Sequence, residues 1–207
     1  MLLQLQGGMM TDHTAQPGKG YGQRWRILGW GFGALLLLAP LVAMQFTDEV
    51  QWSVGDFVIA SALILVTGGT FELLAKKLPD RSWRAAVGLA LLGGFLLLWI
   101  NGAVGIIGSE DHDANMLYLV LLAAGALGGL FVRFQPRGMQ RVLIGMAAFQ
   151  IAIAVPALLL GWGASGPIWP RDLLGLTLFF ATLWLAAAIL FRHAARAEAD
   201  RGIPHHS

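Results

Sequence analysis

An all-α integral membrane protein of six transmembrane helices, built as three parallel two-helix hairpin repeats, is the fold class this sequence predicts. Three observations lead there. Of the 207 residues 57% are hydrophobic and only 13% charged, with a mean hydropathy of +0.66, whereas a soluble domain carries about 25% charged residues. Six apolar windows follow one another, each close to the ~20 residues that span ~30 Å of hydrocarbon. The basic residues, 14 in all, fall almost entirely on one side of those windows.

In chain order, residues 1–23 are mixed in character and contain Gly. They lack the basic-then-apolar pattern and small-residue cleavage site of a secretory signal and read as a flexible cytoplasmic tail, with Met9 and Met10 as alternative starts. The first window, 27–46, opens after Arg24 and Arg26 and holds Pro40. The second, 54–75, opens at Asp56 and closes on Lys76 and Lys77. The third, 85–108, follows Arg81 and Arg84. The fourth, 116–134, opens after Asn115 and reaches Arg133. The fifth, 142–163, follows Arg137 and Arg141, and the sixth, 172–192, runs from Asp172 to Arg192. Residues 24–193 thus form the transmembrane domain, and 194–207 a fraying, polar cytoplasmic tail. The windows are too long and too evenly apolar for barrel strands, which alternate. Helices satisfy their own backbone groups in lipid.

Orientation follows from the short loops. Every Lys and Arg except Arg171 lies on the side of both termini, while Asp48, Glu49, Asp56, Glu110, Asp111, Asp113 and Asp172 lie on the other. Basic loops stay inside, which places both termini in the cytoplasm. Trp30, Trp52, Trp83, Trp99, Trp162 and Trp169 sit near window ends, as an interfacial belt requires.

One period of 57–59 residues relates the three hairpins. It connects Arg26, Arg84 and Arg141 at the odd starts, Asp56, Asn115 and Asp172 at the even starts, and Lys76, Arg133 and Arg192 at the even ends. Acids and amides suit helix N-termini and cations suit C-termini, so short-looped spans alone give a similar rhythm. A true repeat is the reading preferred here. Each hairpin begins and ends inside, so its axis would lie along the membrane normal.

The chain has no Cys, which excludes disulfides, thiolate catalysis and Cys-ligated metal. No His lies at the centre of an apolar run, and no phosphate loop, zinc-protease or nucleophile-elbow motif is present. No catalytic residue, cofactor or metal ligand is therefore assigned, and no nucleic-acid partner; the basic pI belongs to helix ends. The run Glu110-Asp111-His112-Asp113 contains cation-binding residue types but is also what an acidic outer loop looks like. Glu72 and Lys76, four apart in the favourable order, read as a structural ion pair. Trp99 and Asn101, followed by Gly102, Gly105 and Gly108, read either as interhelical packing around a buried amide or as the wall of an outward pocket. Such a pocket would be lined by Trp99, Asn101, Asp48, Glu49 and Trp52. Gln150 presents the same choice. Gly29-x-x-x-Gly33 and Gly125-x-x-x-Gly129 are small-residue packing patterns.

The stretch Pro40-Leu-Val-Ala-Met-Gln-Phe-Thr-Asp-Glu-Val50, then Trp52, Gly55-Asp56-Phe57 and Glu72-Leu73, with Trp99 through Ala103-Val104-Gly105-Ile106 after it, resembles a group of small uncharacterised bacterial inner-membrane proteins. The resemblance covers roughly residues 35–108. It implies a compact membrane protein and carries over no activity. The expected role is that of a non-enzymatic accessory or interaction protein, in contact with lipid and other membrane proteins; the alternative is a small channel or transporter with the outward-facing polar pocket.

Overall fold

The computed structural model describes residues 19–47, 50–78, 80–109, 111–164, 166 and 168–201. Among them every regular element is helical: α1 (Lys19–Ala43), α2 (Val54–Lys77), α3 (Arg81–Ala103), α4 (Met116–Phe131), α5 (Pro136–Leu159) and α6 (Arg171–Arg201), with a 3-10 turn at Asp113–Asn115 before α4. Six helices are long and apolar enough to cross a membrane. The described chain falls into two compact units, 1–52, which holds α1, and 53–207, which holds α2 to α6.

In the first unit α1 carries Pro40 in its last turn. A proline there removes one helical donor, and the chain leaves through a turn in which Met44 and Thr47 donate to the carbonyls of Pro40 and Ala43.

The core of the second unit is made by α3, α4, α5 and α6; α2 packs on α3 and is otherwise exposed. The closest partners are α5 and α6. On α6 the buried residues Leu173, Thr177, Phe180, Trp184, Ala187, Phe191 and Ala194 alternate steps of four and three, the 3.5-residue period of a coiled-coil seam. On α5 Met139, Leu143, Met146, Gln150, Ile153 and Ala157 do the same. Small residues let the other helices approach. A Cβ at Gly93 of α3 would collide with Leu183 and lie 2.8 Å from the Trp184 ring. On α4, Gly125 faces the Met146 thioether and Gly129 the Met139 sulfur of α5, so the Gly125-x-x-x-Gly129 pattern is a helix contact.

Helix ends refine the sequence-based windows. α3 stops at Ala103, not 108, because Gly105 turns left-handed (φ 70°) and its N–H bonds the Asn101 carbonyl, a left-handed cap. α4 stops at Phe131 in a Schellman motif built without glycine. Arg133 (φ 53°) donates to Leu130, and Phe134 (φ 55°) donates back to Gly129 while its ring covers that glycine. α6 continues to Arg201, nine residues past the expected end. Nothing in His193–Asp200 breaks a helix, and Ala194 and Ala195 are buried against the core.

The three matched even-helix starts do different jobs. Asp56 closes a capping box with Ser53, its carboxylate accepting the Ser53 N–H at 2.7 Å. Asp172 accepts the N–H of Leu173. The Asn115 side chain caps nothing in its helix and turns back into the preceding loop. At the opposite end Arg84 Nε donates to the Leu78 carbonyl at 2.9 Å, satisfying an orphan acceptor where α2 ends.

Candidate functional site

The acidic end of the second unit is organised by the chain between α3 and α4. Asn115, 3% exposed, accepts the N–H groups of Ile106 and Ile107 at 3.0 and 2.9 Å and donates to the carbonyls of Ile107 and Ser109 at 3.3 and 2.6 Å. One amide thus replaces the hydrogen bonds that four loop groups would otherwise find in water. Two apolar side chains, Ile106 and Ile107, are driven into the core by this clasp. Gly108 then passes against Gly163 of the α5–α6 loop. Both have positive φ (73° and 78°), and a Cβ on Gly163 would lie 2.5 Å from the Gly108 nitrogen. Glycine is the residue that meets both demands.

Asn101 joins this clasp: its Nδ2 donates to the Asn115 backbone carbonyl at 3.3 Å. The amide therefore ties the end of α3 to the start of α4. Its Oδ1 is buried without a hydrogen-bond partner. Trp99, half-buried, stacks on Phe95 one turn earlier with ring centroids 5.5 Å apart. Of the other residues expected around them, Asp48 and Glu49 lie outside the described residues, and Trp52 belongs to the first unit. Glu72, half-buried, and Lys76, exposed, lie near the end of α2 one turn apart.

In the acidic loop Glu110 lies outside the described residues. Asp111 and Asp113 are exposed, and the His112 Nδ1 accepts the Ala114 N–H at 3.2 Å. That bond caps the 3-10 turn. Among the described residues no three His, Asp or Glu gather as a metal site would require.

Sequence reasoning singled out Asn101 and Gln150 and missed Tyr118, Thr177 and Trp184. Each of these five is buried, and each keeps at least one polar atom without a partner: Asn101 Oδ1, Tyr118 Oη, both amide atoms of Gln150, Thr177 Oγ1 and Trp184 Nε1. They come from all four core helices. Buried polar atoms are normally paired, so each of these positions retains hydrogen-bonding capacity. These side chains offer donors and acceptors but no carboxylate, amine or imidazole. The available signal was position: Thr177 is one of two hydroxyls, with Thr182, in the apolar run of α6, and Trp184 is a tryptophan far from either end of its helix.

Compared with protein-family models, with curated proteins and with solved structures, the chain matches none of them.

Proposed function

We propose that this chain is a multi-pass protein of the bacterial inner membrane with both termini cytoplasmic, and that it acts as a non-enzymatic accessory or interaction protein. The observation that carries the reading is the filling of the four-helix core. Trp184, Phe180, Tyr118 and Leu97 are at most 1% exposed, and the Trp184 ring fills the space that Gly93 leaves. A core closed by large side chains favours a scaffold over a conduit. The exposed faces of α2, with Val58, Ile59, Leu65, Val66 and Leu73, are suited to lipid or to another membrane protein, since a transmembrane helix gains little from hydrophobicity alone and associates by packing. The test is site-specific photo-crosslinking in native membranes from Ile59, Val66 and Leu73. One discrete protein adduct, abolished by a bulky substitution at the same face, supports the reading; adducts to lipid alone at all three positions remove it.

The alternative is the small channel or transporter, and the unpartnered polar atoms of Asn101, Tyr118, Gln150 and Thr177 favour it. The outward pocket expected around Trp99, Asn101, Asp48, Glu49 and Trp52 belongs to this second reading. Proteoliposomes separate the two. Glycerol or urea permeation above that of empty vesicles, lost in Gln150→Leu, argues for transport. Permeation equal to empty vesicles argues for the scaffold.

The three-hairpin reading is part of the same proposal and is supported by the common period of helix starts and ends. α5 and α6 pack along their length whereas α3 and α4 touch little, so the repeat proposed is one of chain register rather than of equal helix packing.

A further inference from the structure

The basic end of α5 and α6 carries a feature that the core does not use. The first two turns of α5 and the last three of α6 enclose a groove of about 410 Å³ lined by Arg137, Gln140, Arg141, Arg192, Arg196 and Asp200. The arginines form two i,i+4 pairs on opposed helices. Like charges at that spacing repel. Among the described residues none of the four guanidinium groups has an ion-pair or hydrogen-bond partner, Asp200 included. Four exposed arginines lining one groove, with an amide beside them, supply a phosphate-binding chemistry, because the planar guanidinium fork matches two phosphate oxygens at once. Arg137 also stands in the first turn of α5, where free N–H groups and the helix dipole favour an anion.

The level of the groove points to the source of the phosphate. Leu173–Phe191 of α6 is an uninterrupted uncharged run ending at Arg192, and the matching run of α5 begins directly after Arg141. At about 1.5 Å per residue such a run is roughly 28 Å long, close to the hydrocarbon thickness. Both helices therefore leave hydrocarbon at the groove, which lies at headgroup depth. We propose that this groove is a binding site for the phosphate of an anionic phospholipid headgroup. The inference rests on the reading that α5 and α6 cross the bilayer, but not on which side the groove faces nor on the scaffold role.

The test uses the full chain purified in an uncharged detergent, so its outcome is independent of orientation and of any partner. Mixtures of phosphatidylglycerol and phosphatidylcholine are titrated, and retained lipid is counted by native mass spectrometry beside the thermal midpoint. Wild type is expected to retain phosphatidylglycerol selectively and to gain thermal stability from it. Each groove arginine replaced in Arg141→Gln and Arg196→Gln is expected to weaken retention about fivefold, whereas Arg133→Gln, at the same end but outside the groove, leaves it unchanged. Arg141→Lys and Arg196→Lys keep the charge and the fold but lose the fork, and are expected to fall between; they carry the test if the Gln variants do not fold. Equal loss in Arg133→Gln, retention in the Lys variants equal to wild type, or equal retention of both lipids by wild type would overturn the site. Inorganic phosphate is titrated in a second arm without lipid. Stabilisation by phosphate alone at millimolar concentration would overturn the lipid assignment in favour of a free anion.

Discussion

Asn101 and Asn115 show how two residues of one type at one end of a bundle differ in weight. Asn101 makes one bond, to a carbonyl of the next helix; interhelical side-chain bonds in membranes average about 0.6 kcal/mol and reach ~1.7. Asn115 serves four backbone groups of a buried loop, and each group left unsatisfied costs about 1–3 kcal/mol. Asn115→Leu is therefore expected to lower the detergent thermal midpoint several times more than Asn101→Leu, and to expose Ser109 to proteolysis. Equal shifts would sink this account of the loop. Gly163→Ala is expected to be as damaging, since it meets a backbone and forces a left-handed alanine at ~1–2 kcal/mol before any clash. Gly175→Ala, with nothing within 4 Å of its Cβ position, should be neutral or stabilising by up to about 1 kcal/mol through helix propensity. Thermal midpoints of the two variants check this directly. Asn101 was legible as a polar residue in an apolar run. The work of Asn115 was not, because an amide before a helix reads as a cap, and only the loop's return path turns it inward.

At the scale of elements, the number and order of helices were legible because a span needs a fixed apolar length and the loops carry the charge. Helix ends were less so. Apolar residues such as Ile106 and Ile107 extend a hydropathy window but enter the core from a loop, and a left-handed residue such as Arg133 gives no signal when it is not glycine. The α5–α6 seam was hidden for a different reason: in lipid the exposed face is as apolar as the buried one, so burial leaves no contrast in hydropathy. What marks the seam is size and shape, with Ala, Met, Phe and Trp at a 3.5-residue period. Trp184 of α6 sits against Gly93 of α3. Trp184→Ala is expected to cost about 3–5 kcal/mol as an unfilled cavity, whereas Leu178→Ala, on an exposed face, should cost little in detergent. Gly93→Ala should destabilise wild type and be partly rescued in the Trp184→Phe background, because the smaller ring vacates the space the methyl needs. A double-mutant cycle with no coupling between positions 93 and 184 would show that α3 does not seat on α6 at this point.

At the scale of the whole molecule the acidic and basic ends have different work. At the acidic end of the second unit the loops are tied by Asn115 and by the Gly108–Gly163 approach, and among the described charges Asp56, Asp111, Asp113 and Arg171 are exposed. At the basic end of the second unit, among the described residues, Arg137, Arg141, Arg192 and Arg196 line the groove without a hydrogen-bond or ion-pair partner, whereas Arg84 is spent on the end of α2. This asymmetry is what a bilayer with an anionic cytoplasmic leaflet would favour, and it makes orientation the decisive property of the fold. Because the chain has no Cys, single cysteines can be labelled on a silent background with a membrane-impermeant maleimide applied to spheroplasts. Ser109→Cys and Ala164→Cys, both exposed at the acidic end, are expected to label from outside. Gln135→Cys and Ala199→Cys, both exposed at the basic end, are expected to label only after the membrane is opened. Six spans require these two groups to stay separate at every position. Labelling of Gln135→Cys and Ser109→Cys from the same side would mean that α4 does not cross, and labelling of the basic group alone from outside would invert the chain. Charge provides the second half of the argument. Arg171 is the one cation on the acidic side, and its removal in Arg171→Gln should leave the pattern unchanged. Moving two of the basic residues that flank the α4–α5 turn across to the 109–113 loop should instead yield a mixture of the two labelling patterns. An unaltered pattern after that transfer would show that something other than the basic loops fixes how this chain sits in the membrane.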